Sequence, residues 1–237
     1  MAAYGLHGVM PEDSQNLEGK HSLVIDCSDG EVFCGVLDSA GAWLSSKKEG
    51  PGALEALFPN VADVLRGANC SLDSMGRFVY CRGPGSVLGL RMGAMAIETW
   101  CRLSCRPVER VGYGSLELTA ELLLLDQPGL QDAVLLADWK KDSWHVLMIE
   151  QGRIGSVAPL PTEAIESLDR PLFHLPRRKG WQAPPNGAHS LAYEPERLDV
   201  VLSRPEFLQS SEAVELFQPG GNTFTKWTPQ RHRAQLK

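Results

Sequence analysis

The segment 82–91, RGPGSVLGLR, constrains the fold more than any other part of this sequence. It follows a short apolar run that is typical of a strand and precedes a run with helical periodicity. Its glycines permit a tight turn, its proline stiffens that turn, and Ser86 is the predicted N-cap of a helix that ends near Leu103. The chain is therefore expected to pass from a strand almost directly into a helix.

This segment supports two interpretations. Gly83, Gly85 and Gly89 give G-x-G-x-x-x-G, one residue longer than the dinucleotide fingerprint, and no Gly-Lys-Ser/Thr follows as in a Walker loop. The free N–H groups at a helix start would still favour an anion such as phosphate. Alternatively, the turn lets the helix approach a neighbour closely. Gly89 and Gly93 favour that view. A glycine inside a helix costs about 0.5–1 kcal/mol of stability relative to alanine, and close packing against a neighbour would offset this cost.

The order of predicted elements indicates an α/β protein built from two related subdomains. Three strands joined by tight turns are predicted within 21–27, 31–39 and 42–48, and a second set begins after Gln127-Pro128-Gly129. Other predicted elements are helices at 53–66, 86–103, 113–125, 161–168 and 194–202 and strands at 77–81, 107–111, 133–139, 144–150 and 153–158. The predicted units are a flexible extension (1–20), an N-terminal subdomain (21–126) and a C-terminal subdomain (127–237).

Composition and motif content narrow the classes of function. A net charge of -6 argues against a protein whose main task is to neutralise nucleic-acid phosphates. The first twenty residues lack the pattern of a signal peptide, and no apolar run is long enough to span a bilayer, so we expect a cytoplasmic protein without direct membrane contact. No His or Cys spacing matches a metal site, and no Ser lies in a G-x-S-x-G elbow. The sequence thus predicts neither a metal nor a catalytic residue.

Two motifs together resemble those of the bacterial TsaB (YeaZ-like) family. They are VIDCSDGEVFCGVLD at 24–38 and CRGPGSVLGLRMGAMA at 81–96, and PVERVGYGSL at 107–116 adds to the likeness. Where the family has Gly-Pro-Gly-Ser-Phe-Thr-Gly-Leu-Arg, this chain keeps every residue except that Val87 and Leu88 replace Phe-Thr. The resemblance implies the actin/Hsp70/sugar-kinase (ASKHA) fold with two related subdomains.

The same resemblance implies a function and partners. TsaB-like proteins act in making threonylcarbamoyladenosine on tRNA, as scaffolds without the metal-binding histidines of the catalytic subunit TsaD. They pair with TsaD through a helical bundle, and the ATPase TsaE joins the assembly. A homodimer through the same helices is also expected, and tRNA contact would be indirect or weak. The predicted partner-binding residues are Glu55, Leu57, Phe58, Gly89, Arg91, Gly93 and Glu98.

The chain departs from the family pattern, and an alternative function stays open. Of the family's His-Ser-Glu in the first helix only Glu55 is kept, Glu98 replaces a usual Lys, and Ala-Asp-Trp-Lys at 137–140 replaces Asp-Ala-Arg. The alternative is a nucleotide-binding phosphotransferase or ATPase of the same fold, with Asp26 and Ser28 as cofactor-binding residues. No cofactor is predicted otherwise, and ATP or ADP is expected only at a shared subunit interface. The basic clusters at 177–179 and 226–237 are expected to be solvated.

Overall fold

The computed structural model describes residues 21–176, 182–204 and 207–218, so the predictions made for 1–20, 177–179 and 226–237 lie outside the described residues. The chain begins with the predicted antiparallel meander. Its strands are β1 (His21–Asp26), β2 (Val32–Leu37) and β3 (Trp43–Glu49).

The rest of the first half adds parallel strands and helices to this meander. The elements are α1 (Ala53–Gly67), a 3₁₀ turn (Leu72–Ser74), β4 (Met75–Gly83), α2 (Val87–Leu103), β5 (Glu109–Gly114) and α3 (Ser115–Asp126). Strand β4 runs parallel to β1, and β5 runs parallel to β4. The predicted helices at 53–66 and 86–103 are confirmed as α1 and α2.

The second half repeats this arrangement in a reduced form. Its elements are β6 (Ala133–Lys140), β7 (Ser143–Glu150), β8 (Arg153–Ile154), β9 (Ala158–Pro161), α4 (Thr162–Glu166), β10 (Leu172–His174) and β11 (His189–Ser190). In the second sheet, β6 pairs antiparallel with β7 and parallel with β10, and β10 pairs parallel with β11. The resulting order β7-β6-β10-β11 matches the order β2-β1-β4-β5 of the first sheet, with the same directions. The prediction of an α/β fold with two related subdomains is therefore confirmed.

The last described segment returns to the first sheet. After a 3₁₀ helix (Pro195–Val201), which replaces the predicted α-helix at 194–202, strand β12 (Gln209–Ser211) pairs with β5. The indole of Trp43 donates to the carbonyl of Glu196, which fixes the 3₁₀ helix beside β3. The second sheet begins at Ala133, close to where the second subdomain was expected, while the boundary at 126/127 stays a prediction.

Helix α3 is apolar almost all round because it lies between the two sheets. Leu118 and Leu122 pack on the first sheet, whereas Leu116 and Ala120 pack on the second. The opposite face of the first sheet is covered by α1 and α2. Within the described parts of the chain, no helix combines the length and the apolar character needed to cross a membrane.

Candidate functional site

Asp26, at the end of β1, is the centre of a buried hydrogen-bonded cluster. Its Oδ1 accepts bonds from the backbone N–H and the hydroxyl of Ser28, at 2.8 and 2.6 Å. Its Oδ2 accepts bonds from the hydroxyls of Tyr113 and Tyr193, each at 2.5 Å. Burial, and then the Asp26 charge, holds the pKa of both tyrosines well above the usual range. A carboxylate can accept about four hydrogen bonds. The bonds from Ser28, Tyr113 and Tyr193 therefore fill the acceptor positions of Asp26 within the chain.

The glycine-rich turn packs directly onto this cluster. The N–H of Ser86 donates to the carbonyl of Ser28 at 2.7 Å, and a Cβ on Gly85 would lie 2.6 Å from the Cβ of Ser28. A Cβ on Gly89 would overlap the carbonyl oxygen of Cys27. Ser86 is the N-cap of α2, as predicted, because its hydroxyl accepts a bond from the N–H of Gly89. The turn thus brings the start of α2 against the end of β1.

The small residues of α2 pack against β1 of the same chain. Gly93 faces Ile25 and Cys27, and both Gly89 and Gly93 are buried. Leu57 of α1 is also fully buried in the core beneath the helices. The contacts that the structure shows for these three residues lie inside the subdomain, and their contact with a partner stays a prediction.

Glu98 is likewise used within the chain. Its Oε1 accepts a bond from the N–H of Val214 at 2.6 Å and lies 3.2 Å from Nε of Arg110. The carboxylate therefore ties α2 to β5 and to the returning segment. Among the predicted partner-binding residues, Glu55, Phe58 and Arg91 are the ones that are exposed.

The exposed sides of α1 and α2 carry large apolar side chains, which we together call the helix face: Leu54, Phe58, Leu88 and Met95. These side chains are 67, 53, 65 and 71% exposed, respectively. Leu54 and Phe58 lie four residues apart and Leu88 and Met95 seven apart, so each pair projects from one side of its helix. Phe58 meets Trp100 of α2 edge-to-face at 6.1 Å, which places the two helices side by side. Sequence analysis missed Leu54, Leu88 and Met95, although their helical spacing was a usable signal.

The second half contributes aromatic side chains near the turn after β4. His145 packs against Trp139 at 5.5 Å and against Phe217 at 5.4 Å, and the N–H of Phe217 donates to the carbonyl of Arg82. Asp138 is buried, and neither of its carboxylate oxygens has a hydrogen-bond partner among the residues that the structure describes. Within 21–176, 182–204 and 207–218, no three His, Cys, Asp or Glu side chains are grouped so that they could hold a metal ion.

Comparison with known proteins supports the fold. No family model matches the chain, and no curated protein matches it. Among solved structures, the chain is similar to YeaZ from Pseudomonas aeruginosa, with 22% identity, 74% of this chain and 87% of that chain covered, and a TM-score of 0.54. It is also similar to an uncharacterized protein from Pseudomonas aeruginosa with similarity to peptidase YEAZ, with 22% identity, coverage of 84% and 99%, and a TM-score of 0.55. The chain therefore has the fold of YeaZ, with two related subdomains, as the sequence resemblance implied.

Proposed function

We propose that this protein is a non-catalytic, TsaB-like scaffold that pairs with a TsaD-type enzyme in the threonylcarbamoyladenosine modification of tRNA. The observation that carries the proposal is the helix face, which occurs on the fold of YeaZ and on the two helices that the family uses for pairing. Four large apolar side chains on adjacent helices, each more than half exposed, are costly for a monomer in water and typical of a protein-binding surface.

The environment of Asp26 favours the scaffold over an enzyme. A phosphotransferase of this fold would need Asp26 to position a metal ion or a water molecule. Here Asp26 is 2% exposed and accepts four hydrogen bonds from Ser28, Tyr113 and Tyr193. The turn at Gly85 also packs tightly on Ser28, since a Cβ at Gly85 would lie 2.6 Å from the Cβ of Ser28. Binding of ATP at Asp26 and Ser28 by the isolated chain would require several of these contacts to break.

The partners follow from the pairing. The helix face would bind the TsaD-type subunit, a TsaE-type ATPase would join that assembly, and ATP or ADP would bind only at an interface between subunits. In the absence of the TsaD-type subunit, the same face would support a homodimer, because a self-complementary apolar surface buries itself in a two-fold pair. The chain would contact tRNA only weakly or through its partner, in keeping with its net charge of -6.

The test is co-expression with the TsaD-type protein of the same organism, followed by affinity capture. We expect stoichiometric capture by the wild-type chain and loss of capture by Met95→Glu, which places a charge on the most exposed side chain of the helix face. Val200→Glu is the matched control, because Val200 is 50% exposed but lies on the 3₁₀ helix away from α1 and α2. If the wild-type chain is folded and captures nothing, or if it hydrolyses ATP alone, the phosphotransferase alternative is favoured instead.

A further inference from the structure

After β12 the chain continues as the segment 212–218, which we call the strap. The strap has no regular secondary structure, and all of its residues are half-buried or exposed. It is therefore held by individual contacts rather than by a ladder of backbone bonds. Segments of this kind belong to the least stable parts of a fold and can open while the rest stays intact.

One end of the strap is attached to α2. The N–H of Val214 donates to Oε1 of Glu98 at 2.6 Å, and Nε of Arg110 lies 3.2 Å from the same oxygen. The next N–H, that of Glu215, donates to the hydroxyl of Tyr80 at 2.9 Å. Because a charged acceptor makes the stronger bond, the carboxylate of Glu98 is the main anchor at this end.

The other end of the strap lies where the two halves of the chain meet. The N–H of Phe217 donates to the carbonyl of Arg82 at 2.9 Å, and its Cβ lies 3.7 Å from the position of a Cβ on Gly83. The ring of Phe217 meets the ring of His145 edge-to-face at 5.4 Å. Arg82 and Gly83 belong to the first half and His145 to the second, so Phe217 connects the halves.

The two ends are close enough to depend on each other. Val214 and Phe217 are three residues apart, which an extended chain spans in about 10 Å. Leu216, between them, packs against the buried cluster that contains Cys81 and Leu90. When one end of so short a segment is released, the remaining contacts must order more free chain, so they are weakened as well.

We propose that the strap is one detachable unit that couples α2 to the junction of the two halves. Loss of the bond between Val214 and Glu98 would release Phe217 from Arg82 and His145. The coupling is reciprocal, so release of Phe217 would also weaken the bond at Glu98.

This device would let the junction respond to binding at α2. Met95 of the helix face lies three residues before Glu98, so both project from neighbouring positions of one helix side. The side chain of Glu98 is 29% exposed, which leaves it within reach of a basic group on a bound protein. Such a group would compete with Val214 for the carboxylate and release the strap. This consequence rests on the proposed function, whereas the coupling within the strap does not.

The inference is tested by amide hydrogen exchange of the full chain, followed residue by residue by NMR. In the wild type we expect similar protection at Val214 and Phe217, and weaker protection there than in β1. Glu98→Ala should raise the exchange rate at Phe217 at least about tenfold, although the acceptor of that N–H is untouched. Phe217→Ala removes the contact with His145 and should raise the rate at Val214 at least about threefold.

Glu150→Ala is the matched control, because it removes a carboxylate that pairs with Arg170 in the second half. It should leave the exchange rates of Val214 and Phe217 unchanged. Faster exchange at Val214 alone in Glu98→Ala would show that the two ends are independent. Exchange of the strap only together with β1 would show that it opens only on global unfolding. Either result would overturn the inference, and both are measured without a TsaD-type protein.

Discussion

The hydroxyl of Tyr193 lies 2.5 Å from Oδ2 of Asp26 and donates a hydrogen bond to it. Asp26 ends the central strand of the first sheet, whereas Tyr193 begins the segment that returns from the second half. The bond therefore joins two parts of the chain that are 167 residues apart. It also occupies one oxygen of the carboxylate that the phosphotransferase alternative assigns to cofactor binding.

Removal of this hydroxyl should destabilise the whole fold. Tyr193→Phe leaves a buried carboxylate with one bond fewer, and hydrogen bonds to charged groups contribute about 1.5–3 kcal/mol. We expect the free energy of unfolding in urea to fall by about that amount. Tyr80→Phe is the matched control, since the Tyr80 hydroxyl accepts from the N–H of Glu215 and bonds only neutral groups. An equal loss in the two variants would contradict a special role for Asp26.

The tyrosine cluster also predicts a loss of stability at alkaline pH. Burial, followed by the charge of Asp26, raises the pKa of Tyr113 and Tyr193 in the folded chain, whereas an unfolded tyrosine ionises near pH 10, as a rough reference value. Burial also raises the pKa of the thiols of Cys27, Cys34 and Cys81. A group whose pKa is higher in the folded chain than in the unfolded chain contributes its full stabilisation of the fold at pH values below the unfolded pKa. This stabilisation is lost as the pH rises from the unfolded pKa toward the folded pKa.

Urea unfolding between about pH 8 and pH 11 measures this effect. We expect the free energy of unfolding to fall from about pH 9 upward, as the thiols and then the tyrosines ionise in the unfolded chain. The slope above about pH 10 should be shallower for Tyr193→Phe, because one group with a shifted pKa has been removed. An identical slope in the wild type and the variant would contradict the pKa shift of Tyr193.

Gly89→Ala tests whether the glycine-rich turn is built for close packing. Helix propensity alone would favour alanine by about 0.5–1 kcal/mol. The new Cβ would however overlap the carbonyl oxygen of Cys27, so we expect a net destabilisation of about 1–3 kcal/mol in thermal or urea unfolding. Gly129→Ala is the control, because no atom lies within 4 Å of the position its Cβ would take. If Gly89→Ala stabilised the protein, the position would have space for a Cβ, and the account of close packing would be contradicted.

Much of the fold could be predicted because its signals are local. The N-cap Ser86, the helical spacing of α1 and α2, and the second set of strands after Pro128 are visible within short windows of sequence. The packing of α2 could be predicted only in part. Gly89 and Gly93 correctly indicated close packing, but periodicity alone does not say whether the neighbour is β1 or another protein.

The features that escaped prediction depend on contacts between distant residues. Nothing near Tyr193 shows that its hydroxyl reaches Asp26, and nothing near Gln209 shows that β12 pairs with β5. The carboxylate of Glu98 likewise accepts a hydrogen bond from the N–H of Val214, a residue of the returning segment, which the sequence around Glu98 does not indicate. Such contacts arise only when the chain comes back to the first sheet, so the local sequence carries no sign of them.

Charge placed on the helix face should abolish pairing and leave the fold intact. Leu88→Glu and Met95→Glu change side chains that are 65 and 71% exposed, so unfolding by urea should stay within about 0.5 kcal/mol of the wild type. A homodimer through this face, if formed at high concentration, should dissociate to monomers in sedimentation experiments on either variant. Self-association that persists in both variants would locate the dimer interface elsewhere.

The affinity for the TsaD-type protein of the same organism tests the central claim most directly. Isothermal titration with the wild-type chain should give a Kd of about 1 μM or tighter, and Met95→Glu should weaken it about 100-fold, while Val200→Glu should match the wild type. No measurable binding between the two folded proteins, or equal binding by Met95→Glu and the wild type, would contradict a scaffold that pairs through α1 and α2.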